Sequence, residues 1–188
     1  SVEAVEDVST VKFDEKLSAV QDEDELERFI TENIAMFANA YRKLYAYVKM
    51  NIRVNYMEPF QVESFHEMAQ IQGWSSSLRQ CVSAINQNKW YPTRNKVISL
   101  GLHLSMDHAQ IDEMLELAHM EPLCAKNIFE SVIMFILEDA SLKDLLNIDS
   151  EDYDPDRLCS YAKEVLEGFD FPEIESFLSE LPEDNDEW

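Results

Sequence analysis

Apolar residues recur along this chain at three- and four-residue spacing, and strand-like alternation is scarce. That spacing places side chains on one stripe of a helix. Leu26, Phe29, Ile30, Ile34, Phe37, Ala38, Tyr41, Leu44, Tyr45 and Val48 form the first long run. It predicts a long amphipathic helix, or two helices bent near Ala35 to Ala40. Arg42, Lys43, Lys49 and Arg53 fall toward its far end, where a helix C-terminus favours cations. Further runs are Val97 to Leu104, then Ile111, Met114, Leu115 and Ala118. Ile128 to Leu137 is the most apolar run and is expected to be the central core element. Leu158 to Leu166 and Ile174 to Leu181 continue the pattern, and Ser141 is expected to cap a short turn with Leu142, Leu145 and Leu146. Glycine occurs only 3 times in 188 residues, which suits helices. The expected fold is all-α: a compact multi-helix domain with acidic helical N- and C-terminal extensions.

Phe60 to Lys96 is read as two short helices around a tight turn, then a Pro-marked entry to a third. Val62, Phe65, Met68 and Ala69 stripe the first helix. Gly73 supplies the positive φ that a helix end takes. Ser75, Ser76 and Ser77 precede the second helix, and Ser77 with Gln80 fits a capping box. Leu78, Cys81, Val82 and Ile85 form its apolar face, and Asn86-Gln87-Asn88 ends it. Asn55 to Pro59 reads as the connector ahead of this unit. A helix-turn-helix places its second helix in a DNA major groove. The organisation expected is therefore an acidic lead-in at 1–21, a helical domain at 22–146 with the helix-turn-helix at 60–96, and an acidic helical segment at 147–188.

Met68-Ala69 to Ile71, Trp74-Ser75, Ile85, Asn88-Lys89-Trp90-Tyr91-Pro92, Val97 and Leu100 together resemble the lambda-repressor-like (XRE-type) helix-turn-helix. Asn88 stands where that family often has glycine in its connector. The series Arg94 to Leu104, Ser105 to Ala118 and Pro122 to Asn127 is similar to small bacterial regulators of that kind. The resemblance spans about residues 38 to 146, and it implies duplex DNA as ligand and a transcription-regulator-like role.

Charge bears on that implication. The formal net charge is −23. Residues 147–188 hold 15 acidic against 2 basic residues, whereas residues 38–96 hold 3 acidic against 8 basic. The helix-turn-helix stretch is thus a basic island between flanks that repel a duplex. Its candidate DNA contacts are Ser75, Ser76, Ser77, Arg79, Gln80 and Ser83 on the second helix. Arginine can grip guanine edges and glutamine adenine. Lys89, Arg94 and Lys96 are the candidate phosphate contacts. A homodimer would double this modest charge.

Other chemistry finds less to stand on. Glu63-x-x-His66 and Glu116-x-x-His119 match the paired motif of a di-iron bundle, but each sits beside a helix break. The serines lack a nucleophile-elbow setting, and no Gly-rich phosphate loop exists. The expectation is no enzyme, no cofactor and no metal. No window of about 18 apolar residues is present, so no membrane span is expected. The first residues lack the pattern of a secretory signal. Cys81, Cys124 and Cys159 are odd in number and widely spaced, which points to reduced thiols in a cytoplasm. Two functions follow. In one the chain is a DNA-binding regulator whose acidic arms limit or mask DNA contact. In the other it is an acidic interaction module or DNA-mimic inhibitor that binds a protein partner, through its C-terminal segment, and not DNA.

Overall fold

The computed structural model describes residues 13–139, 147, 149–154 and 157–180, the side chains of 37, 38 and 180 excepted. The turn expected at Ser141 to Leu146 and the tail from Pro182 lie outside the described residues. Among the described residues all regular structure is helical. The chain divides into two compact units, Ser1–Ala40 and Tyr41–Trp188.

In the first unit, residues 13–18 are helical, followed by α1 (Glu23–Glu32) and α2 (Ile34–Asn39). Asp22 caps α1, accepting from the Glu25 N–H at 2.8 Å. Glu23, Asp24 and Glu25 then sit at the positive end of the helix dipole. Asn33 ends α1, and its own side chain donates back to the Phe29 carbonyl. The expected long helix is therefore cut at Asn33 and again before Tyr41.

The second unit opens with α3 (Arg42–Ile52), which passes through a wide π-turn (Arg53–Met57) into a last short turn, α4 (Glu58–Phe60). The backbone stays helical through Arg53 and Glu58, so the connector expected at Asn55 to Pro59 is helix instead. Arg42 and Lys43 open α3 rather than closing a longer helix. Gln61, at φ 55°, turns the chain out. Val62 lies before the next helix, not on it.

α5 (Phe65–Gln72), α6 (Ser76–Asn86), α7 (Arg94–His103), α8 (His108–Leu117), α9 (Ile128–Leu137), α10 (Arg157–Glu167) and α11 (Pro172–Glu180) follow. α7 is the centre of this unit. Val97, Ile98, Ser99, Leu100, Gly101 and Leu102 are buried in succession, because α8, α10 and α11 all pack around it. α8 comes close because position 101 lacks a side chain: a Cβ there would lie 2.6 Å from Ile111 Cγ1. The expectation that Ile128 to Leu137 is the central element is corrected. α9 buries Phe129, Ile133 and Ile136 but leaves Phe135 70% exposed. Apolar content does not say which helix its neighbours surround. α10 and α11 pack on α7 and α9 through Leu158, Ala162, Leu166, Ile174 and Phe177, all buried. Phe177 stacks on Phe129 with centroids 4.8 Å apart.

Candidate nucleic-acid interface

Ser64 starts α5, its hydroxyl accepting from the Glu67 N–H at 3.1 Å. Gly73 stops α5 at φ 62°. Ser75 then caps α6, accepting from the Leu78 N–H at 3.1 Å. The cap expected at Ser77 thereby lies two residues nearer the N-terminus, and with Leu78 at its third position it is a single cap and not a capping box. The reason is tertiary: Leu78, Val82 and Ile85 must face inward, which fixes where the helix begins. That face packs against α3 and α5, and each of the three side chains contributes about 1.5–3 kcal/mol by leaving water. Gln87 ends α6, and Asn88 takes φ 57°, a conformation asparagine tolerates. Tyr45 holds the exit by donating from its hydroxyl to the Trp90 carbonyl. Lys49 donates to Asn88 Oδ1 at 3.2 Å.

The outer edge of α6 carries Ser77, Gln80 and Ser83, all exposed. Ser76 and Arg79 are half-buried. A groove of about 650 Å³ lies along one flank. Phe65, His66, Ala69 and Trp74 line it on one side, and Ser76, Arg79, Gln80, Ser83 and Lys89 on the other. A second groove, of about 320 Å³, lies between α6 and α7 and is lined in part by Ser77, Gln80, Cys81, Lys96 and His103. Gln80 borders both. Among the described residues none that lines either groove is acidic.

Two of the candidate contacts do other work. Ser75 is buried and its hydroxyl is the helix cap. Arg94 is turned inward: its Nε and Nη2 donate to the two carboxylate oxygens of Glu130 at 3.0 and 2.6 Å. Nη1 and Nη2 also donate to the carbonyls of Glu121 and Pro122. The paired carboxylate holds the guanidinium above its ordinary pKa. Glu130 itself is 2% exposed and accepts a further bond from the Cys124 N–H. Arg94 therefore joins the loop after α8 to α9, and a phosphate would have to compete with a buried partner.

Of the other candidates, Ser76, Ser77, Arg79, Gln80 and Ser83 lie on α6, with Ser83 accepting from Gln87 Nε2 at 3.2 Å, while Lys89 follows α6 and Lys96 lies on α7. Sequence reasoning missed Lys49, whose placement at the α6 exit depends on a contact 39 residues away. It also missed Trp74 and His66 as groove walls. The two Glu-x-x-His pairs are not helical pairs. Glu63 precedes the α5 cap, and His119 follows α8 at φ 62°. No group of three or more potential metal ligands occurs among the described residues. Among the described residues no helix is long and apolar enough to cross a membrane. No protein-family model, no curated protein and no solved structure matches this chain.

Proposed function

We propose that the second unit binds duplex DNA, with α5 and α6 as a helix-turn-helix and α6 presented to the major groove. The observation that carries this reading is the charge of its surroundings. α6 projects an uncharged polar edge between two grooves that no carboxylate lines among the described residues, with Lys89 and Lys96 exposed beside it. Its first turn also holds no acidic residue. Gln80 borders both grooves, where a side chain can reach a base edge. Lys89 and Lys96 serve phosphates. The acidic remainder restricts the approach of DNA to this face and weakens nonspecific binding.

Fluorescence anisotropy of a labelled mixed-sequence duplex, titrated between about 50 and 200 mM salt, tests the reading. Affinity is expected to fall steeply with salt. Lys89→Ala and Lys96→Ala are each expected to lower the log–log salt slope by about 0.9. Gln80→Ala is expected to keep the slope and to relax sequence preference by about 1–3 kcal/mol. Absence of binding even at low salt refutes it.

A second reading is favoured by Phe169 and Phe171, which are 43% and 42% exposed beside Glu167, Asp170 and Glu173. Aromatic side chains set among carboxylates suit a basic protein partner. That reading predicts affinity for a Lys- and Leu-rich peptide that Phe169→Ala and Phe171→Ala together abolish and that duplex DNA does not compete away.

A further inference from the structure

The groove between α6 and α7, of about 320 Å³, holds a polar group that the fold itself leaves unused. Ser99 lines it and is only 6% exposed. A helical serine can return its hydroxyl to the carbonyl four residues back. Ser18 does so toward Asp14 at 2.8 Å. The Ser99 hydroxyl makes no such bond, and among the described residues it has no hydrogen-bond partner. Nor is it sealed from water as the Trp74 indole N–H is, so its free bond opens on the groove. Buried polar side chains are rarely left in this state. Ser77, Gln80 and Lys96 reach the same groove from exposed positions, and among the described residues their side chains are neither hydrogen-bonded nor ion-paired. Ser77 with Gln80 on α6, and Lys96 with Ser99 on α7, are each three residues apart, which puts each pair on one helix face. Lys96 stands near enough to the Cys81 thiol to oppose the rise in pKa that burial forces on it. Leu78, Trp90 and Leu100 supply apolar surface, and no carboxylate lines the groove among the described residues. His103 also lines it but is engaged with Cys159, Sγ to Nε2 at 3.5 Å, so the ligand's bonds fall to the other four.

We propose that this groove binds a small sugar acid, a pyranose ring bearing one carboxylate. The carboxylate faces Lys96, the ring hydroxyls bond Ser77, Gln80 and Ser99, and the C–H face of the ring lies toward Leu78, Trp90 and Leu100. Hydroxyl and amide groups both donate and accept, as a polyol requires. One ammonium answers one carboxylate. Apolar lining with a few placed polar groups is the usual make-up of a small-molecule site. Three alternatives fit less well. A neutral sugar would leave Lys96 without a role. A short carboxylate would leave the hydroxyls of Ser77 and Ser99 unused. Inorganic phosphate would bring nearly two charges to one cation and leave the apolar surface wet. The site stands whether or not α6 reads DNA, and a ligand in it would occupy Ser77, Gln80 and Lys96, which a duplex would otherwise meet.

The full chain is titrated with glucuronate, without nucleic acid, following backbone amides by ¹H–¹⁵N NMR. Saturable binding is expected, with the largest shifts at residues 77–81 and 96–100. Glucuronate should bind about tenfold tighter than glucose, acetate or inorganic phosphate. Lys96→Gln, at an exposed position, is expected to weaken glucuronate about fivefold and to leave glucose unchanged. Ser99→Ala is expected to weaken glucuronate and glucose alike, by about fivefold. Without ligand, Ser99→Ala should keep or raise the urea midpoint, because its hydroxyl has no bond in the fold to lose. A lowered midpoint overturns the proposal, since the hydroxyl would then serve the fold. Glucose or acetate binding as tightly as glucuronate overturns it, as does full affinity in either variant. Shifts confined to other parts of the chain, or no saturation by about 20 mM, also overturn it. None of these failures touches the DNA titration, whose ligand and readout are separate.

Discussion

Removing Arg94 should cost folding stability rather than DNA affinity. Arg94→Ala deletes the two bonds to Glu130, at 2.6 and 3.0 Å, and leaves that carboxylate buried with only the Cys124 N–H as partner. Breaking a buried pair from one side costs about 3–5 kcal/mol. The Glu130 side chain is 3% exposed but that of Arg94 is 30% exposed, so the lower end applies. The bonds to the Glu121 and Pro122 carbonyls lie at the exposed surface, where water replaces them. The expected loss is about 3 kcal/mol, which lowers the melting temperature by roughly 6–12 °C for a chain of this size. Urea unfolding followed by circular dichroism measures it. Arg94→Lys keeps the charge but not the two-pronged fit and should recover only part of the loss. Arg94→Met combined with Glu130→Leu should recover most of it, because no charge is left buried. A loss below about 0.5 kcal/mol for Arg94→Ala would reduce the pair to a surface contact. A lower DNA salt slope with unchanged stability would return the guanidinium to the phosphate role its position in the sequence suggests.

Burial pushes the Cys81 thiol up to about 12. At pH 8 its thiolate is therefore scarce in the native state, and alkylation by iodoacetamide should be about 10³-fold slower than in urea. Cys124, which is exposed, should react first, as mass spectrometry of the peptides would show. The same shift has a stability consequence. The unfolded thiol loses its proton first, so below its ordinary pKa Cys81 changes nothing, and stability falls as pH rises from about 8.5 toward 12. Tyr41, Tyr45 and Tyr47 are also raised by burial and add to that fall above about pH 10. Urea midpoints at neutral and alkaline pH should decline in this order, and a rising midpoint would contradict it. Gly101→Ala should destabilise by about 1–2 kcal/mol, overpacking against Ile111 outweighing the gain in helix propensity. Combining it with Ile111→Val should restore part of the loss, and a stabilised single variant would show that α7 and α8 can part at no cost.

Much of the candidate surface is legible in the sequence. Gly73 ends α5, Asn86 to Asn88 end α6, and the Pro-marked entry leads into α7. Ser77, Gln80, Ser83, Lys89 and Lys96 are exposed on or beside α6. Ser75 and Arg94 were misread for two different reasons. Three consecutive serines offer the same local cap, and only the inward facing of Leu78 chooses among them. Arg94 looks like any cation of the basic island until Glu130, 36 residues later, arrives beside it. The π-turn at Arg53 to Met57 left no breaker in the sequence either. It lies where Tyr56 is fully buried, with its hydroxyl donating to the His103 carbonyl 47 residues on.

Sequence alone determined that the chain is helical, where most helices stop, and which stretch carries positive charge. These depend on backbone sterics, capping bonds and side-chain spacing within about one helical turn. Tertiary structure decided that α7 and not α9 is central, that Arg94 serves Glu130, and that α6 stands between two grooves. Those outcomes depend on which faces meet across tens of residues, and local pattern holds no record of the partner.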